Sequence, residues 1–479
     1  MPIELRPYQQ RGVADIRAAY AGGARSVLFA LPTGGGKTFT FSYIAEGAAA
    51  KGNEVTIIVH RTELLRQASC SLAAIGLRHG IIAPDDRTRR ILRAHVDRFE
   101  RSWLDSGSHV RVASLQTLGR RLPSIQDRGG LIILDEAHHA TAGTWRKILE
   151  AAPRARVLGV TATPTRTDGH GLGDVFDVLV QGPTIRELID QGHLVQPKVY
   201  APPMRFTLEG VHRRGGDFVP SELAALIDTP AVIGDAVEHY LRLARGLPAI
   251  AFCPSVKTAE DLAAEFRARG VRAACVHGEM DDDERDRLIL GHGKVVDVLT
   301  SCDLISEGTD TVSAACAILL RPTESEALYL QQVGRVLRPA PGKAHALILD
   351  HVGNCLRHGM PDAHREWTLE GRKRSRGKAA NDNEPALAVR QCPQCYAAHA
   401  PMPRCPACGY AYPAQAREIE QREGQLEEVD PELLEQQRRA KRVEVGKART
   451  REDLERIAAE RGYARGWVHK MMKLKGIAA

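Results

Sequence analysis

Short apolar runs that alternate with helical patterns extend over most of the first 350 residues. Uninterrupted apolar runs of this kind are typical of strands that are covered on both faces, as they are in a parallel sheet. Parallel neighbours cannot be joined by a hairpin, and the helical stretches between the runs provide the crossovers that such strands require. The alternation becomes irregular between Gly182 and Gly246 and then begins again. The sequence therefore predicts an α/β fold with two parallel-sheet domains in tandem.

The limits of these elements follow from the apolar runs and from the turn residues between them. In the first domain the predicted strands are Ser26–Leu31, Val55–His60, Val110–Ala113, Leu131–Asp135 and Val157–Thr161. In the second domain they are Ala249–Cys253, Arg272–Val276, Val295–Thr300, Ala315–Leu320 and Ala344–Leu349. We place a hinge near Gln196–Pro203. The predicted divisions are a first domain at 1–197, a second at 198–370, a linker at 371–389, a cysteine module at 390–412 and a charged helical tail at 413–479.

Composition and charge narrow the class of protein. Of the 479 residues, 43% are hydrophobic, which is enough for large cores and too many for a disordered chain. No apolar run approaches the roughly 18–20 residues that span a bilayer, and the first residues lack the layout of a signal peptide. We therefore expect a soluble, cytoplasmic protein with no membrane partner. Residues 371–479 contain 22 basic and 15 acidic residues, so the whole net charge of +7 lies in the last quarter of the chain.

A glycine-rich turn, Leu31-Pro-Thr-Gly-Gly-Gly-Lys-Thr38, joins the first predicted strand to a helix. Glycines let backbone N–H groups wrap around a phosphate, and the helix N-terminus adds a partial positive charge. Lys37 can reach the β- and γ-phosphates of a nucleotide, and the Thr38 hydroxyl can ligate Mg²⁺. Leu31 occupies the position of the first glycine in the strict phosphate-loop pattern, so an ordinary strand–turn–helix junction is the alternative. The predicted nucleotide-binding residues here are Thr33, Gly34, Gly35, Gly36, Lys37 and Thr38.

Two carboxylates, Asp135 and Glu136, follow the buried run Leu131–Leu134. The carboxyl ends of parallel strands are where α/β sheets bind their ligands. Asp135 would hold Mg²⁺, and Glu136 would orient or deprotonate an attacking water. A pair of residues that caps the next helix is the alternative interpretation.

Taken in order, these segments resemble the superfamily 2 helicases of the DEAD/DEAH-box type, and the resemblance extends over about 350 residues. It implies two RecA-like domains that hydrolyse ATP between them. Leu5-Arg-Pro-Tyr-Gln9 resembles the adenine-reading segment of that family, in which Gln9 would hydrogen-bond the base, although a simple helix start would look the same. Thr161-Ala-Thr-Pro164 resembles the segment that couples hydrolysis to strand movement.

The second domain continues the resemblance with Gln331-Gln-Val-Gly-Arg-Val-Leu-Arg338, which we predict to be helical. The resemblance implies that Arg335 and Arg338, on one face of that helix beside Gln331, act as arginine fingers on the γ-phosphate. A solvated basic face is the alternative. Gly308 and Asp310 resemble the motif that senses both nucleotide and nucleic acid.

Three further segments resemble elements of the family that contact a nucleic acid backbone: Val59–Gln67, Ala113–Leu118 and Val276–Gly278. Backbone contacts give affinity without sequence preference, which a motor requires. Ordinary surface roles are the alternative for each side chain. The predicted nucleic-acid contacts are Arg61, Gln116, Thr117 and His277.

Four of the ten cysteines form two C-x-x-C pairs, Cys392 with Cys395 and Cys405 with Cys408. Four thiolates on two tight turns can close a tetrahedral Zn²⁺ site, with a redox pair as the alternative. Such a zinc ribbon would contact nucleic acid or a protein partner, or would be purely structural. The tail from Thr450 begins with a capping box and mixes basic with aromatic residues, which suits auxiliary nucleic-acid contact, a protein partner or a solvated helix.

The sequence thus predicts a nucleic-acid motor that uses ATP, Mg²⁺ and Zn²⁺, with DNA favoured over RNA and with repair or recombination as its process. Within the superfamily the motifs are similar to those of the bacterial DNA-repair helicase RadD and of phage and prophage helicases. The alternatives are an RNA helicase, a duplex DNA translocase, and an ATP-dependent nucleic-acid-binding adaptor that does not unwind.

Overall fold

The computed structural model describes residues 4–122, 129–139, 143–166, 170–204, 206–302, 314–370, 389–413, 444–445, 447–461 and 466–475. These form two compact units, Met1–Tyr412 and Pro413–Ala479. The first unit contains both large sheets and the cysteine module. Among the described residues, no helix is long and apolar enough to cross a membrane.

The first sheet has seven parallel strands in the order β3-β4-β2-β5-β6-β1-β7. Its central strands are buried along almost their whole length because helices cover both faces, as the uninterrupted apolar runs predict. The strands are β1 (Ser26–Ala30), β2 (Val55–Val59), β3 (Gly80–Ile82), β4 (Val110–Ser114), β5 (Leu131–Asp135), β6 (Arg156–Thr161) and β7 (Val178–Gln181). The helices are α1 (Pro7–Ala21), α2 (Lys37–Ala49), α3 (Thr62–Ala74), α4 (Asp85–Phe99), α5 (Leu115–Arg120), α6 (Gly143–Ala151) and α7 (Ile185–Asp190). We call this sheet and its helices lobe 1.

The second sheet has eight strands in the order β12-β13-β11-β14-β15-β8-β17-β16, and its first six are parallel. The strands are β8 (Gln196–Tyr200), β11 (Ala249–Phe252), β12 (Ala273–Val276), β13 (Val298–Ser301), β14 (Cys316–Leu319), β15 (His345–Asp350), β16 (Arg390–Gln391) and β17 (Ala397–His399), and a separate hairpin pairs β9 (Arg213–Arg214) with β10 (Asp217–Phe218). The helices are α8 (Pro220–Ile227), α9 (Pro230–Leu243), α10 (Val256–Ala268), α11 (Asp282–Leu290), α12 (Glu326–Gly334) and α13 (Asn354–His358). We call the parallel strands and helices α8–α13 lobe 2.

The prediction of two parallel-sheet domains is confirmed, and all ten predicted strands form within a few residues of the predicted limits. The segment that we assigned to the hinge, near Gln196–Pro203, contains β8, which pairs with β15 inside the second sheet. The connection between the lobes therefore lies before Gln196. The exact domain limits remain a prediction.

The cysteine module extends the second sheet. Its strand β17 pairs antiparallel with β8, and the N–H of Ala201 donates to the carbonyl of Tyr396 at 2.8 Å. The side chain of Tyr200 packs against the cysteine cluster. The module is thus part of the same hydrogen-bonded sheet as lobe 2.

The second unit contains α14 (Arg451–Arg461) and α15 (Gly466–Lys475), which share a small core of Leu454, Ile457 and Met472. The predicted capping box is present: the N–H of Asp453 donates to Oγ1 of Thr450, and the N–H of Thr450 donates to Oδ2 of Asp453. The reciprocal bonds satisfy two of the N–H groups that a helix start leaves open.

Candidate functional site

The glycine-rich turn lies between β1 and α2, as predicted. Gly34 and Gly36 both have φ of +85°, and Gly36 is the residue that caps α2. Only glycine adopts this left-handed region readily, so both glycines are needed for the shape of the turn. The N–H of Gly35 donates to the carbonyl of Pro32 at 2.9 Å and tightens the turn further. Lys37 and Thr38 begin the helix, where the first N–H groups of α2 and the partial positive charge face the turn.

The carboxylates of Asp135 and Glu136 lie at the carboxyl end of β5 and are almost fully buried, with 5% and 7% exposure. Nζ of Lys37 is 3.9 Å from Oε1 of Glu136, so one acid and the lysine face each other directly. Glu136 has φ of +51°, a left-handed conformation that is costly for a residue with a side chain. Strained backbone of this kind is concentrated at functional sites, where the surrounding structure holds it in place.

A chain of polar contacts connects the acidic pair to the end of β6. Nδ1 of His138 is 3.1 Å from Oγ1 of Thr161, whose hydroxyl donates to the carbonyl of Thr163. The histidine Nδ1 must therefore be the donor to Thr161. The same nitrogen is 3.5 Å from Oε2 of Glu136. The one hydrogen of Nδ1 is donated to Thr161, so the ring of His138 lies beside the Glu136 carboxylate and makes no hydrogen bond to its Oε2.

Gln9 lies beside the glycine-rich turn, but its amide is already committed there. Nε2 of Gln9 donates to the carbonyls of Gly35 and Gly36 at 3.3 Å, and its Oε1 accepts the N–H of Arg6 at 2.9 Å. The hydroxyl of Tyr8 also donates to Gly35. These contacts position the turn, and a contact of Gln9 with adenine remains a prediction.

Lobe 2 contributes the other wall of the cleft. A Cβ added to Gly334 would lie 2.5 Å from Cβ of Thr33, and one added to Gly34 would lie 3.5 Å from Cγ of Arg338. The glycine-rich turn therefore packs directly on the chain around Gly334. The resulting cleft has a volume of about 1240 Å³ and is lined on one side by the turn and the acidic pair and on the other by Gln331, Arg335 and Arg338.

The prediction that Arg335 and Arg338 lie on one face of a helix is wrong. Helix α12 ends at Gly334, Arg335 is its C-terminal cap, and Arg338 lies beyond it. Pro339 follows Arg338, and a residue before proline is displaced from helical conformation. Both guanidiniums line the cleft nevertheless.

Gln331, which we predicted beside the two arginines, lies on this wall. Its Nε2 is buried and has no hydrogen-bond partner among the described residues, so it is available to a ligand or to a water. Near this wall, the sequence did not single out Lys343. Lys343 donates to the carbonyls of Arg338 and Ala314, at 2.7 and 2.6 Å. Burial, with the charge of Arg338, lowers the pKa of Lys343 to about 8. No local sequence signal marks Lys343, because its partners are backbone atoms.

The predicted nucleic-acid residues lie at the carboxyl ends of their strands. Arg61 precedes α3, and Gln116, which is exposed, donates to the carbonyl of His60 at 3.3 Å. Thr117 follows in α5. These three residues follow two neighbouring strands of lobe 1, β2 and β4, whereas His277 follows β12 in lobe 2. Gly308 and Asp310 lie outside the described residues.

The four cysteines of the module converge. Their sulphur atoms all lie within 4.8 Å of one another, and Sγ of Cys392 is 3.6 Å from Sγ of Cys408. Sulphurs at this spacing fit a tetrahedral ion with metal–sulphur bonds of about 2.3 Å. Burial and the neighbouring thiols raise the pKa of Cys395 to about 12, whereas backbone N–H groups lower the pKa of Cys392 to about 6 against its burial. Crowded thiols of this kind ionise together only around a cation, and the donor set suits Zn²⁺.

Comparisons with known proteins give the same picture of the two lobes. Residues 2–166 match the family described as the res subunit of type III restriction enzymes, and residues 233–340 match the helicase conserved C-terminal domain. A 51.5 kDa protein of a Lactococcus phage is 31% identical over 413 residues, which cover 84% of this chain and 82% of the phage protein.

Two further similarities are more partial. A Saccharomyces cerevisiae protein, IRC3, named as a predicted ATP-dependent helicase, is 31% identical over 73% of this chain and 51% of its own length. The DNA-bound structure of LlaBIII, an ATP-dependent type ISP restriction-modification enzyme, superposes with a TM-score of 0.53 at 18% identity. That similarity covers 74% of this chain and 28% of the other, and it concerns the fold alone.

Proposed function

This chain belongs to the superfamily 2 helicases, which are ATP-dependent enzymes, and we propose that it is a DNA helicase that hydrolyses ATP between its two lobes and moves along one strand. The observation that carries the proposal is the composition of the cleft. Lys37 and Glu136 face each other on lobe 1, 3.9 Å apart, while Arg335 and Arg338 line the same cleft from lobe 2. Neither lobe holds the complete set of charges.

The residues of the cleft have complementary roles toward a nucleoside triphosphate. The N–H groups of the turn and Lys37 bind the β- and γ-phosphates. Glu136, buried and held in a strained conformation, orients the attacking water and accepts its proton. Arg335 and Arg338 stabilise the negative charge that develops on the transferred phosphoryl group. The unpartnered Nε2 of Gln331 is available to the same group of oxygens.

The same cleft fits Mg²⁺. The Thr38 hydroxyl, at the end of the glycine-rich turn, and the Asp135 carboxylate, in the acidic pair, are both oxygen ligands. Mg²⁺ prefers hard oxygen ligands of this kind. When bound, the ion would neutralise charge on the β- and γ-phosphates. Asp135 also accepts the N–H of Glu136 at 3.0 Å, so the metal-binding side chain fixes the position of the catalytic one.

Coupling of hydrolysis to movement runs through two sets of contacts. His138 packs beside Glu136 and donates to Thr161, and Thr161 lies at the end of β6, beside the strand β1 that precedes the glycine-rich turn. On the other side, Gly334 packs on Thr33, so a change at the γ-phosphate reaches both lobes. The nucleic acid strand would be held on both lobes, which move relative to each other. The residues that would hold it are Arg61, Gln116 and Thr117 on lobe 1 and His277 on lobe 2.

DNA is favoured over RNA because the described similarities include the restriction-enzyme family and a DNA-bound restriction enzyme of the same fold. A role in repair or recombination and the narrower similarity to RadD are parts of the proposal. We assign Zn²⁺ to the four cysteines on the convergence of their sulphur atoms. We also propose that the ribbon or the tail contacts nucleic acid or a protein partner, and that the protein is cytoplasmic.

The first experiment is a comparison of ATP hydrolysis without nucleic acid and with single-stranded DNA, duplex DNA or single-stranded RNA, with Lys37→Ala as the inactive control. We expect stimulation by DNA, and then separation of a fluorescently labelled forked DNA. Greater stimulation by RNA would move the protein to the RNA helicases. Hydrolysis with ATP-dependent DNA binding but without strand separation would favour the translocase or the adaptor.

A further inference from the structure

Helix α4 has more arginine than the proposed function uses. Its 15 residues, Asp85–Phe99, contain five arginines and three aspartates. Ile91 and His95 are buried and hold the helix against lobe 1. Arg89 and Arg93 are exposed and make no ion pair with any described residue. The helix therefore presents a row of positive charge along its outer surface.

Part of this row is paired with acidic residues of lobe 2. Arg66, on the neighbouring helix α3, binds both oxygens of Asp286 on α11, one of them at 2.9 Å. Arg90 contacts Asp283 at 3.1 Å and lies 3.6 Å from Asp286. These pairs join the two lobes at a distance from the glycine-rich turn along the same cleft.

Asp282 completes the group. It accepts a hydrogen bond from Arg87 at 2.8 Å and a second from Arg90, and it also holds Arg285 of its own helix. Arg285 is nearly buried and reaches Glu63 of lobe 1 at 3.4 Å. We refer to Arg66, Arg87, Arg90, Asp282, Asp283 and Asp286 as the arginine–aspartate cluster.

The arginines of the cluster can exchange their aspartate partners for another anion. The side chains of Arg66, Arg87 and Arg90 are 40%, 33% and 24% exposed. Ion pairs that reach solvent contribute little net stability and are screened by salt. A guanidinium forms the same bidentate hydrogen bonds with a phosphate as with a carboxylate, so a phosphate can replace an aspartate without rearrangement of the arginine.

The position of the cluster indicates which phosphates could do so. Arg66 belongs to the segment Val59–Gln67 that we expect to contact a nucleic acid backbone. Arg90, Arg93 and Arg98 line the same 1240 Å³ cleft as Lys37, so a strand on α4 would lie in a space continuous with the nucleotide site. A row of closely spaced guanidiniums matches the repeated negative charge of a strand better than it matches a single small anion.

We propose that Arg66, Arg87 and Arg90, extended by Arg89 and Arg93, form a binding surface for the phosphate backbone of single-stranded nucleic acid, and that Asp283 and Asp286 cover it as an internal competitor. The proposal rests on the proposed function as a helicase. A strand that binds to α4 displaces α11, and contacts of α11 with α3 and α4 weaken binding of the strand. The two events are linked thermodynamically, so each must oppose the other by the same factor.

The test measures binding of a fluorescently labelled single-stranded DNA to the full chain without nucleotide, at several salt concentrations. Asp283→Asn/Asp286→Asn leaves Asp282 to hold the buried Arg285, and we expect it to bind roughly fivefold to tenfold tighter than the unaltered chain. Arg87→Ala/Arg90→Ala should bind about tenfold more weakly, and the slope of log affinity against log salt should fall by about 1.4 for two lost phosphate contacts. Arg242→Ala/Arg245→Ala, which removes two exposed arginines at the C-terminal end of α9, is the matched control and should change neither quantity.

The sign of the aspartate effect decides the matter. If the cluster only holds the lobes together, both double variants will bind DNA equally well or both more weakly, and the proposal is overturned. An unchanged salt slope in the arginine variant would overturn it as well. Asp286→Asn alone provides the same sign with less perturbation if the double variant melts early. DNA-stimulated ATP hydrolysis by the unaltered chain, measured in parallel, separates a failure of this proposal from a failure of the helicase assignment.

Discussion

Two of the places where lobes 1 and 2 meet depend on different physical effects. Around the glycine-rich turn the contact is one of shape, because a Cβ on Gly334 would lie 2.5 Å from Thr33. In the arginine–aspartate cluster the contact is made by the ends of long, partly exposed side chains. Close van der Waals packing is lost when the distance changes by a fraction of an ångström. Ion pairs act over a longer range, and they are weakened by salt or by a competing anion. We infer that the packing around the glycine-rich turn defines how the two lobes fit together, and that the arginine–aspartate cluster changes the fraction of molecules in which the lobes are in contact.

The largest effect should come from removing one charge from each wall of the cleft. Glu136→Gln and Arg335→Ala should each reduce ATP turnover by at least about 1000-fold, because the first loses the proton acceptor and the second loses charge stabilisation. Glu136→Gln should still bind a fluorescent ATP analogue. Turnover within tenfold of the unaltered rate in either variant would contradict the assignment.

A single methyl group should break the contact of shape. Gly334→Ala places a Cβ against Thr33, and we expect ATP turnover to fall by about 10-fold to 100-fold while the melting temperature changes little, since the damage lies between the lobes. Gly234→Ala is the matched control, because Gly234 lies in α9 with open space around it. That substitution should leave turnover unchanged. Equal effects of the two substitutions would show that the close approach is unimportant.

The cysteine module belongs to neither of these two contacts, so loss of its metal should not affect ATP hydrolysis in the cleft. The unaltered protein should contain one Zn²⁺ per chain by elemental analysis, and Cys408→Ser should lose it because one of four ligands is removed. ATP hydrolysis without nucleic acid should stay within about twofold, since no cysteine of the module lines the cleft. Ser106→Ala, at an exposed position of lobe 1 outside the cleft, is a suitable control that leaves the metal in place. A chain that binds no zinc at any stage of purification would refute the site.

The smallest effect concerns the anchoring of the basic helix α4 and depends on pH. Ser69 of α3 donates to Nε2 of His79 at 2.6 Å and accepts from Nε2 of His95 on α4 at 3.1 Å. The backbone N–H of Trp103 donates to Nδ1 of His95, so the proton on that ring lies on Nε2. Burial is the main cause that lowers the pKa of His79, to about 4.

The direction of the pH effect follows from that pKa. Between about pH 6.5 and pH 4 the unfolded chain binds a proton at His79 that the folded chain excludes, so the free energy of unfolding falls as the pH falls. We expect a loss of about 3 kcal/mol from this group across the interval, and none above it. The measurement is the melting temperature as a function of pH. His79→Gln should make the fall smaller. The rest of it comes from other buried histidines with a lowered pKa, such as His292 and His358. His212→Gln, at an exposed histidine, should leave the curve unchanged.

Much of the fold could be predicted because parallel strands that are buried on both faces appear as short apolar runs, and the turn residues between them are local signals. Strand β8 was missed because its sequence, Gln-Pro-Lys-Val-Tyr, alternates and begins beside a proline, as an edge strand does. It becomes internal only because β17 pairs with it from 197 residues further along the chain, a contact that no local pattern contains.

Most residues of the candidate site could be predicted from the sequence, but their arrangement in space could not. The phosphate-binding turn and the acidic pair are local motifs, and the structure places them together because β1 and β5 both flank β6. Helix α12 ends at Gly334, and Pro339 keeps Arg338 out of a helix; the prediction of a continuous helix gave both residues too little weight. The arginine–aspartate cluster joins residues about 200 positions apart, so its charges look like two unrelated solvated helix faces in the sequence.

The pairing of β17 with β8 has a mechanical consequence. Strand β8 is the first element of lobe 2 after the connection from lobe 1. It pairs along its whole length with β15 and, at its last two residues, with β17. A pull through the connection would load the hydrogen bonds to β15 in shear, so they would have to break together. The cysteine module adds hydrogen bonds at the far end of the same strand, and any load that passed along β8 would therefore reach the module as well.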